Sequence, residues 1–403
     1  MVYRPGLTTF SSFFYPFASC ADRLTRESTL FLVFGLNPTL RHSPALNSAG
    51  YALAAATPAA AAMTVDQDAL QYPIRSNPDL ESFDIVSYYH KLLADDPGLT
   101  MPVAAIESLI EALSQSSATT VFETMDLVKT QSAKLRAAVR NPIALTHGTE
   151  LFQQYLVISL KQPGPDGKET SSHENFEVVR QHLMRNTRLF VQRAKEARLD
   201  IANVGRQYVR DGYTILTHGG SRVVGTLLGR AAEPTAGDAR RRFRVIHVVN
   251  DARRTESSRE VAALRAKGVP VATIPESAVA YSMGQVNMVL VGAEAVTANG
   301  GIISRMGTYQ IALLAKARKK DFFVAAEQHK FGKTFPVDQS DFGFDQGVID
   351  FRAADERESD KGRPQPIADP VDYTPPEFIT SLFTNTGVFT PTAVAKQIID
   401  LLY

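Results

Sequence analysis

The sequence predicts an α/β protein, with an N-terminal α-helical domain followed by a domain built on a mainly parallel sheet. Three observations carry that expectation. From Leu80 to about Asp211, apolar residues recur at helical spacing and no strand-like run intervenes. From Gly212 onward, short β-branched and apolar runs alternate with helical stretches, the pattern of parallel strands joined by right-handed crossovers. One of those runs, residues 213–216, passes through Thr217-His218 into Gly219-Gly220-Ser221 and then a helical stretch with Val223, Val224, Leu227 and Leu228. A strand, a Gly-Gly turn and a helix N-terminus, capped here by Ser221, aim backbone N–H groups and the positive dipole end at one spot. An anion is expected there, and a phosphate fits best, although the same residues also describe a tight turn with no ligand.

In chain order, residues 1–62 stand apart. They hold four Arg, two acidic residues and no Lys, and they end in an Ala-rich tract. An acid-poor, Arg- and Ser-containing leader has the character of a transit peptide. The reading preferred here is a disordered or removable extension, with Met63 as the working start. Domain boundaries are then expected at 70–211 for the helical part and 212–403 for the α/β part. In the helical part, Asp79 is positioned to cap a helix through Phe83, Val86 and Tyr89. Pro102 stands where a second helix begins, with Ile106, Ile110 and Leu113 following. Residues 122–139 and 151–160 continue the same period, and residues 162–172 form a looser loop. A long helix carries Val179, Leu183, Phe190, Ala194, Ala197, Ile201, Val204 and Tyr208 on one face.

In the second part, strands are expected at 243–249, 269–274, 286–291 and 322–326. Helices are expected at 255–267, 276–283, 308–320 and 391–402, with polar surface loops at 231–242 and 353–370. The 403 residues, 44% of them apolar, and a net charge of +1 describe a soluble globular chain. They argue against nucleic-acid binding through bulk charge. Cys20 is the only cysteine, which excludes disulfides within the chain and cysteine-based metal clusters, and the histidines lack metal-ligand spacing.

In a parallel sheet, ligands sit at the carboxyl ends of the strands. Four stretches are expected to meet there: Thr217-His218-Gly219-Gly220-Ser221-Arg222; Asn250-Asp251-Ala252-Arg253-Arg254; Gly292-Ala293-Glu294 continuing to Asn299-Gly300-Gly301; and Glu327-Gln328-His329-Lys330. Together they outline a pocket for a sugar phosphate or nucleotide phosphate. The Walker lysine is missing after Gly220-Ser221-Arg222-Val223-Val224-Gly225-Thr226, and no Gly-x-Gly-x-x-Gly follows the strand. A P-loop and a dinucleotide cofactor are therefore both disfavoured, and no cofactor is called for.

Residues 215–224, Val291-Gly292-Ala293-Glu294, Asn299-Gly300-Gly301-Ile302-Ile303, Gly307-Thr308 and Tyr373-Thr374-Pro375-Pro376 together resemble one family. It comprises the alpha, beta and delta subunits of eukaryotic translation initiation factor 2B and related sugar-phosphate isomerases. Val139-Arg140-Asn141-Pro142-Ile143 with Glu150-Leu151-Phe152 resembles its alpha subunits. The resemblance spans about residues 70–403 and implies a helical domain followed by a Rossmann-like domain. It also implies a regulatory, non-catalytic subunit of the cytosolic guanine-nucleotide exchange factor for initiation factor 2, with catalysis in the epsilon subunit. The implied partners are a second copy of the chain, the beta, delta, gamma and epsilon subunits in a decamer, and the phosphorylated alpha subunit of initiation factor 2. Neither a membrane nor a nucleic acid is implied. The family's isomerases use a cysteine just after Thr-His and an aspartate after Val-Gly-Ala; Gly219 and Glu294 stand at those positions here. A sugar-phosphate aldose–ketose isomerase is the alternative, with His218 standing in for the thiol. A metabolite-binding protein outside translation is a third reading. Lys134 and Arg136, in a basic stretch with Lys129 and Arg140, are candidate sensors of the phosphorylated partner. Phe378, Leu382, Phe383 and Phe389 are candidate apolar interface residues.

Overall fold

Among the described residues, five α-helices precede the first strand. Helix α1, Ile85–Asp95, is capped by Asp84, whose side chain accepts from the Val86 amide at 3.0 Å. This cap differs from the Asp79 expected from sequence: residue 84 offers the same acceptor one turn closer to the buried Ile85 and Tyr89. In α2, Met101–Ser114, Pro102 lies in the first turn, where its missing N–H costs nothing. Helix α3, Val121–Ala138, opens with a reciprocal capping box between Thr120 and Glu123. Helix α4 is Ile143–Lys161, and α5 spans residues 191–205 and runs into a single 3₁₀ turn, Arg206–Tyr208. The computed structural model describes residues 83–96, 98–139, 141–161, 191–234, 241–250, 254–349, 351 and 369–402. The expected N-terminal extension, Asp79, the loop at 162–172, the part of the expected long helix that carries Val179, Leu183 and Phe190, most of the two polar loops, Arg140 and Arg253 lie outside those residues.

The second half is a seven-stranded sheet in the order β10-β9-β7-β4-β1-β2-β3. The strands are β1 Thr214–His218, β2 Arg244–Val249, β3 Val271–Pro275, β4 Met288–Gly292, β7 Asp321–Ala325, β9 Ser381–Thr384 and β10 Gly387–Phe389. Every pairing is parallel except β9–β10. The crossovers are α6 Arg222–Ala231, α7 Arg254–Ala266, the short helix α8 Val279–Ser282, and α9 Thr308–Ala317; α10, Pro391–Leu402, ends the described chain. A separate antiparallel sheet joins β5 Ala295–Val296, β6 Ile302–Arg305 and β8 Val371–Thr374.

The strands at the centre of the main sheet, β1 and β4, are buried along their whole length, as strands covered on both faces must be. One face packs into a core in which Ile201, Ala202 and Val209 of the helical region meet Ile215, Leu227, Val245, Leu264, Phe323 and Phe383. Phe383 stacks on Phe323 with ring centroids 5.1 Å apart, and Tyr208 adds its ring at 4.8 Å. Leu382 and Phe383 are therefore core residues, which corrects the expectation that they face a partner. Phe378 is half-buried, edge-on to Tyr309 and beneath the Lys316 ammonium at 4.3 Å, and Phe389 is half-buried on the edge strand β10. Among the described residues, no helix is long and apolar enough to cross a membrane.

Candidate functional site

The β1–α6 turn is shaped by glycine. Gly219 and Gly220 both have positive φ, +76° and +66°, a region that side-chain-bearing residues rarely occupy. A Cβ on Gly220 would lie 2.8 Å from the backbone N of Ser257, so the turn is pressed directly against α7. At the end of β4, a Cβ on Gly292 would lie 2.1 Å from the Ser221 hydroxyl oxygen; glycine there lets Ser221 seat itself over the strand end. Ser221 holds the N-cap position but makes no side-chain cap hydrogen bond, contrary to the capping role expected of it. The N–H groups of the first helical turn have no intrahelical acceptor by construction, and here the cap side chain does not take one either.

These N–H groups open onto a cavity of about 150 Å³ at the carboxyl ends of β1, β4 and β7. His218, Gly219, Gly220, Ser221, Arg222, Glu294, Glu327 and Lys330 line it, together with Arg305 from β6 and Thr100 at the start of α2. The first, third and fourth of the expected stretches thus converge, the first without Thr217 and the third through Gly292, Ala293 and Glu294. Asn299, Gly300 and Gly301 do not join them. The Asn299 amide donates to the Pro336 carbonyl at 3.1 Å and the Tyr373 hydroxyl at 2.6 Å, and its Oδ1 accepts from the Gly301 amide at 3.1 Å. A Cβ on Gly300 would lie 2.3 Å from the Pro391 carbonyl oxygen. This Asn-Gly-Gly turn supports the small sheet rather than a ligand. Arg253 lies outside the described residues, while Asn250 donates to Glu276 at 3.2 Å on the far side of His218.

The cavity charges are held by one another. Lys330 Nζ is 2.7 Å from Glu327 Oε2 and donates to the Ala293 carbonyl at 2.9 Å. Glu327 is 1% exposed. Burial alone would raise its carboxyl, but the Lys330 ammonium and the Arg198 guanidinium at 3.4 Å outweigh burial and hold it well below the usual carboxylate range. Arg305 pairs with Glu294 on one side and Asp369 on the other, and Asn141 Nδ2 donates to the second oxygen of Glu294 at 3.1 Å. His218 is buried, with Nδ1 3.2 Å from the Thr308 hydroxyl and Nε2 3.4 Å from Glu276 Oε1.

The helical region grips this edge of the sheet at several points. Arg222 Nη1 donates to the Leu99 carbonyl at 2.7 Å, and Thr100 Oγ1 lies 3.3 Å from His329 Nε2. On α4, His147 spans the Lys330 carbonyl at 3.1 Å and the Thr334 hydroxyl at 2.7 Å. Burial lowers the pKa of both histidines, that of His329 to about 4, so their rings are neutral hydrogen-bonding parts. Sequence reasoning missed Arg305, Asn141, Thr100 and Glu276. Arg305 could have been found as the basic end of the apolar run Ile302-Ile303-Ser304, which reads as a short strand leading back to the pocket. The others come from segments whose proximity only the tertiary fold creates. Lys134 and Arg136 are not in this cavity: on α3, Lys134 is exposed and Arg136 is half-buried, where its charge bears on Glu150.

Fold and site thus define an α/β protein with a half-open, ion-paired pocket at the carboxyl edge of a parallel sheet, flanked by helices. The chain belongs to the Initiation factor 2 subunit family, whose family model matches residues 95–391. It is 33% identical over 329 residues to translation initiation factor eIF2B subunit alpha of Dictyostelium discoideum, covering 80% of this chain and 98% of that protein. The corresponding Caenorhabditis elegans subunit is 29% identical over 79% of this chain and 98% of its own length. Ribose 1,5-bisphosphate isomerase of Archaeoglobus fulgidus is 33% identical over a shorter stretch, 55% of this chain and 67% of the enzyme. Among solved structures, one chain of the tetrameric eIF2B-beta2-delta2 complex from C. thermophilum shares the fold. Its TM-score is 0.60 at 20% identity, over 80% of this chain and 95% of that one.

Proposed function

We propose that this chain is a non-catalytic regulatory subunit, of the alpha type, of the exchange factor that recycles initiation factor 2. The observation that carries the reading is its similarity to alpha subunits over 98% of their length. The site supports it. An isomerase moves a proton between adjacent carbons and needs an acid–base pair beside the reacting atoms. At the turn, Gly219 has no side chain, and Glu294 is engaged by Arg305 and Asn141. The framework for an anion is nevertheless retained, and a sugar phosphate or a nucleotide phosphate is the ligand class it suits. Partners follow as part of the proposal: a second copy of the chain, beta and delta subunits in a cytosolic decamer with gamma and epsilon, and the phosphorylated alpha subunit of initiation factor 2. A phosphoserine brings about −1.5 to −2 charges, and Lys134, exposed on α3, and Arg136, half-buried on the same helix, are the basic residues proposed to meet them.

Tagged chain expressed with its presumed partners tests this directly. Stoichiometric recovery of beta and delta subunits is expected, and recovery of the chain free of both would overturn it. The alternative, an isomerase, rests on the shorter similarity to ribose 1,5-bisphosphate isomerases and on His218 lying between Thr308 and Glu276. Ketose formation from ribose 1,5-bisphosphate, followed by NMR and abolished by His218→Ala, would establish it. In the exchange assay, Lys134→Glu with Arg136→Glu is expected to relieve inhibition by phosphorylated substrate. Undiminished inhibition in an intact assembly would remove these residues from the sensor.

A further inference from the structure

Behind the Gly219–Gly220 turn, between the β1–β2 face and helices α6 and α7, lies a second polar group of residues that the pocket does not use. Thr217 and His247 are register partners on β1 and β2, so their side chains share one face of the sheet, and both are 0% exposed. Facing them is the buried stripe of α7: Ser257, Glu260, Val261 and Leu264. A crossover helix runs antiparallel to its strands, and Leu264 shares a core with Val245. One helical turn back from Leu264 is roughly 6 Å, and two strand residues on from Val245 is roughly 6.6 Å. Glu260 therefore stands level with His247, and Ser257 stands level with the Gly-Gly turn, where its amide abuts Gly220. The Glu260 side chain lies along α6 at Gly225, whose absent Cβ leaves it room.

Six polar atoms in this layer have no hydrogen-bond partner among the described residues: Thr217 Oγ1, both ring nitrogens of His247, Ser257 Oγ and both carboxyl oxygens of Glu260. Buried polar groups are almost always bonded, either to protein or to ordered water. We propose that this layer is an internal water site, bound by Thr217, His247, Ser257 and Glu260, that backs the anion turn from inside. The donor and acceptor inventory fits. A neutral imidazole offers one donor and one acceptor, each hydroxyl offers both, and a carboxylic acid adds one more donor. A buried water needs two to four such partners.

Glu260 belongs to that network as the neutral acid. The cations of the packed elements bond elsewhere or are exposed. Arg222 bonds Leu99, Arg230 pairs with Glu233, Lys267 reaches Gly229 and Glu233, Arg244 bonds Thr214, and Arg265 bonds the Val271 carbonyl. His218 sits on the pocket face of β1, and Arg254 and Arg259 of α7 are exposed; Glu256, one turn before Glu260, is half-buried against Gly220. His247 is the titratable group that faces it from β2. Burial lowers the pKa of that ring to about 4, so it brings no charge. With no cation among the described residues to oppose it, burial pushes the Glu260 carboxyl up to about 8.

The test uses the full chain. A high-resolution crystal structure at pH 6.5 is expected to show water within hydrogen-bond distance of at least two of the four side chains; a dry layer would overturn the proposal. Carboxyl ¹³C NMR, assigned by Glu260→Gln, is expected to show this acid protonated at pH 6.5 and titrating near 8. A Glu260 found ionised at pH 6.5 would equally overturn it. Should Glu260→Gln fail to fold, the crystallographic water alone decides, with Ser257→Ala expected to lose or displace the water nearest residue 257.

Discussion

The two sides of β1 solve the problem of buried polarity in opposite ways. On the pocket side, Glu327, Lys330, Arg305 and Glu294 are charged and mutually paired, and the helical region supplies further bonds from Asn141 and Arg198. On the α6–α7 side, the side chains of Thr217, His247, Ser257 and Glu260 have no hydrogen-bond partner among the described residues. A charge survives burial only with a counter-charge in contact; without one, the group gives up its charge. Two glutamates with the same starting chemistry are thus driven apart, Glu327 down and Glu260 up, by whether a lysine and an arginine stand beside them.

Breaking the paired side should have the largest effect. Glu327→Ala leaves Lys330 and Arg198 without their buried partner, and losing one member of such a pair costs about 3–5 kcal/mol. Chemical denaturation should register it as a fall in midpoint with an unchanged slope. Replacing both Glu327 and Lys330 by apolar residues of similar size should cost clearly less, because only Arg198, which is half-buried and reaches solvent, is then left without its partner. If the single and double changes cost the same, the pairing account of this side is wrong.

The turn between the two sides comes next. Gly220→Ala forces a side chain into a left-handed backbone position and against the α7 backbone, 2.8 Å from Ser257 N. Backbone strain of this kind costs about 1–3 kcal/mol. Because the same residue shapes the anion turn, phosphate binding measured by calorimetry should weaken along with stability. Retained affinity in a destabilised variant would separate the turn from the ligand site.

How much of this was legible in the sequence depended on the range of the interaction. Local signals were enough for Pro102 in the first turn of α2, for the β1–turn–α6 unit and for strands β2, β3, β4 and β7, because each is written within about fifteen consecutive residues. The small sheet was not visible: β5 has two residues and β6 four, too short to show alternation. Asn299-Gly300-Gly301 was misassigned to the pocket because a turn that supports a neighbouring strand and a turn that cradles an anion use the same residue types. Arg305 and Asn141 reach Glu294 from 11 and 153 positions away, and only packing places them there.

Acidity distinguishes the two sides as well. Glu260 binds a proton in the folded chain up to about pH 8 but releases it near 4.5 when unfolded. The folded state then holds more protons between those values, and stability falls as pH rises through that window. His247 and His329 act in the other direction. Their folded values near 4 lie below the ordinary 6.5, so stability rises from about pH 4 to 6.5 on their account. Asp372, raised by burial to about 7, adds to the fall below that pH. The two rising and two falling contributions nearly cancel between about pH 4.5 and 6.5, so stability is expected to be level there and to fall by roughly 2 kcal/mol by pH 8, at about 1.36 kcal/mol per unit and group. Glu260→Gln should remove most of the loss between pH 7 and 8. A variant with the same alkaline slope as the parent would place the proton elsewhere.

The smallest change asks the sharpest question of the unpaired side. Thr217→Val exchanges a hydroxyl for a methyl of nearly the same shape, so packing against α6 and α7 is preserved and only the hydrogen bond is at issue. Were the layer dry, the Thr217 hydroxyl would be a buried group stripped of water with nothing in return, a penalty of about 1–3 kcal/mol. Its removal would then stabilise the chain. With water bound, the hydroxyl takes part in a network, and its loss should destabilise by about 1 kcal/mol, the net contribution of an ordinary hydrogen bond. The two accounts differ in sign, so a thermal unfolding midpoint decides between them. The expected result is a midpoint a few degrees lower than that of the parent, with the drop shrinking in the Glu260→Gln background because both side chains bond the same water. A higher midpoint would mean that this side of β1 tolerates orphaned polar atoms rather than hydrating them.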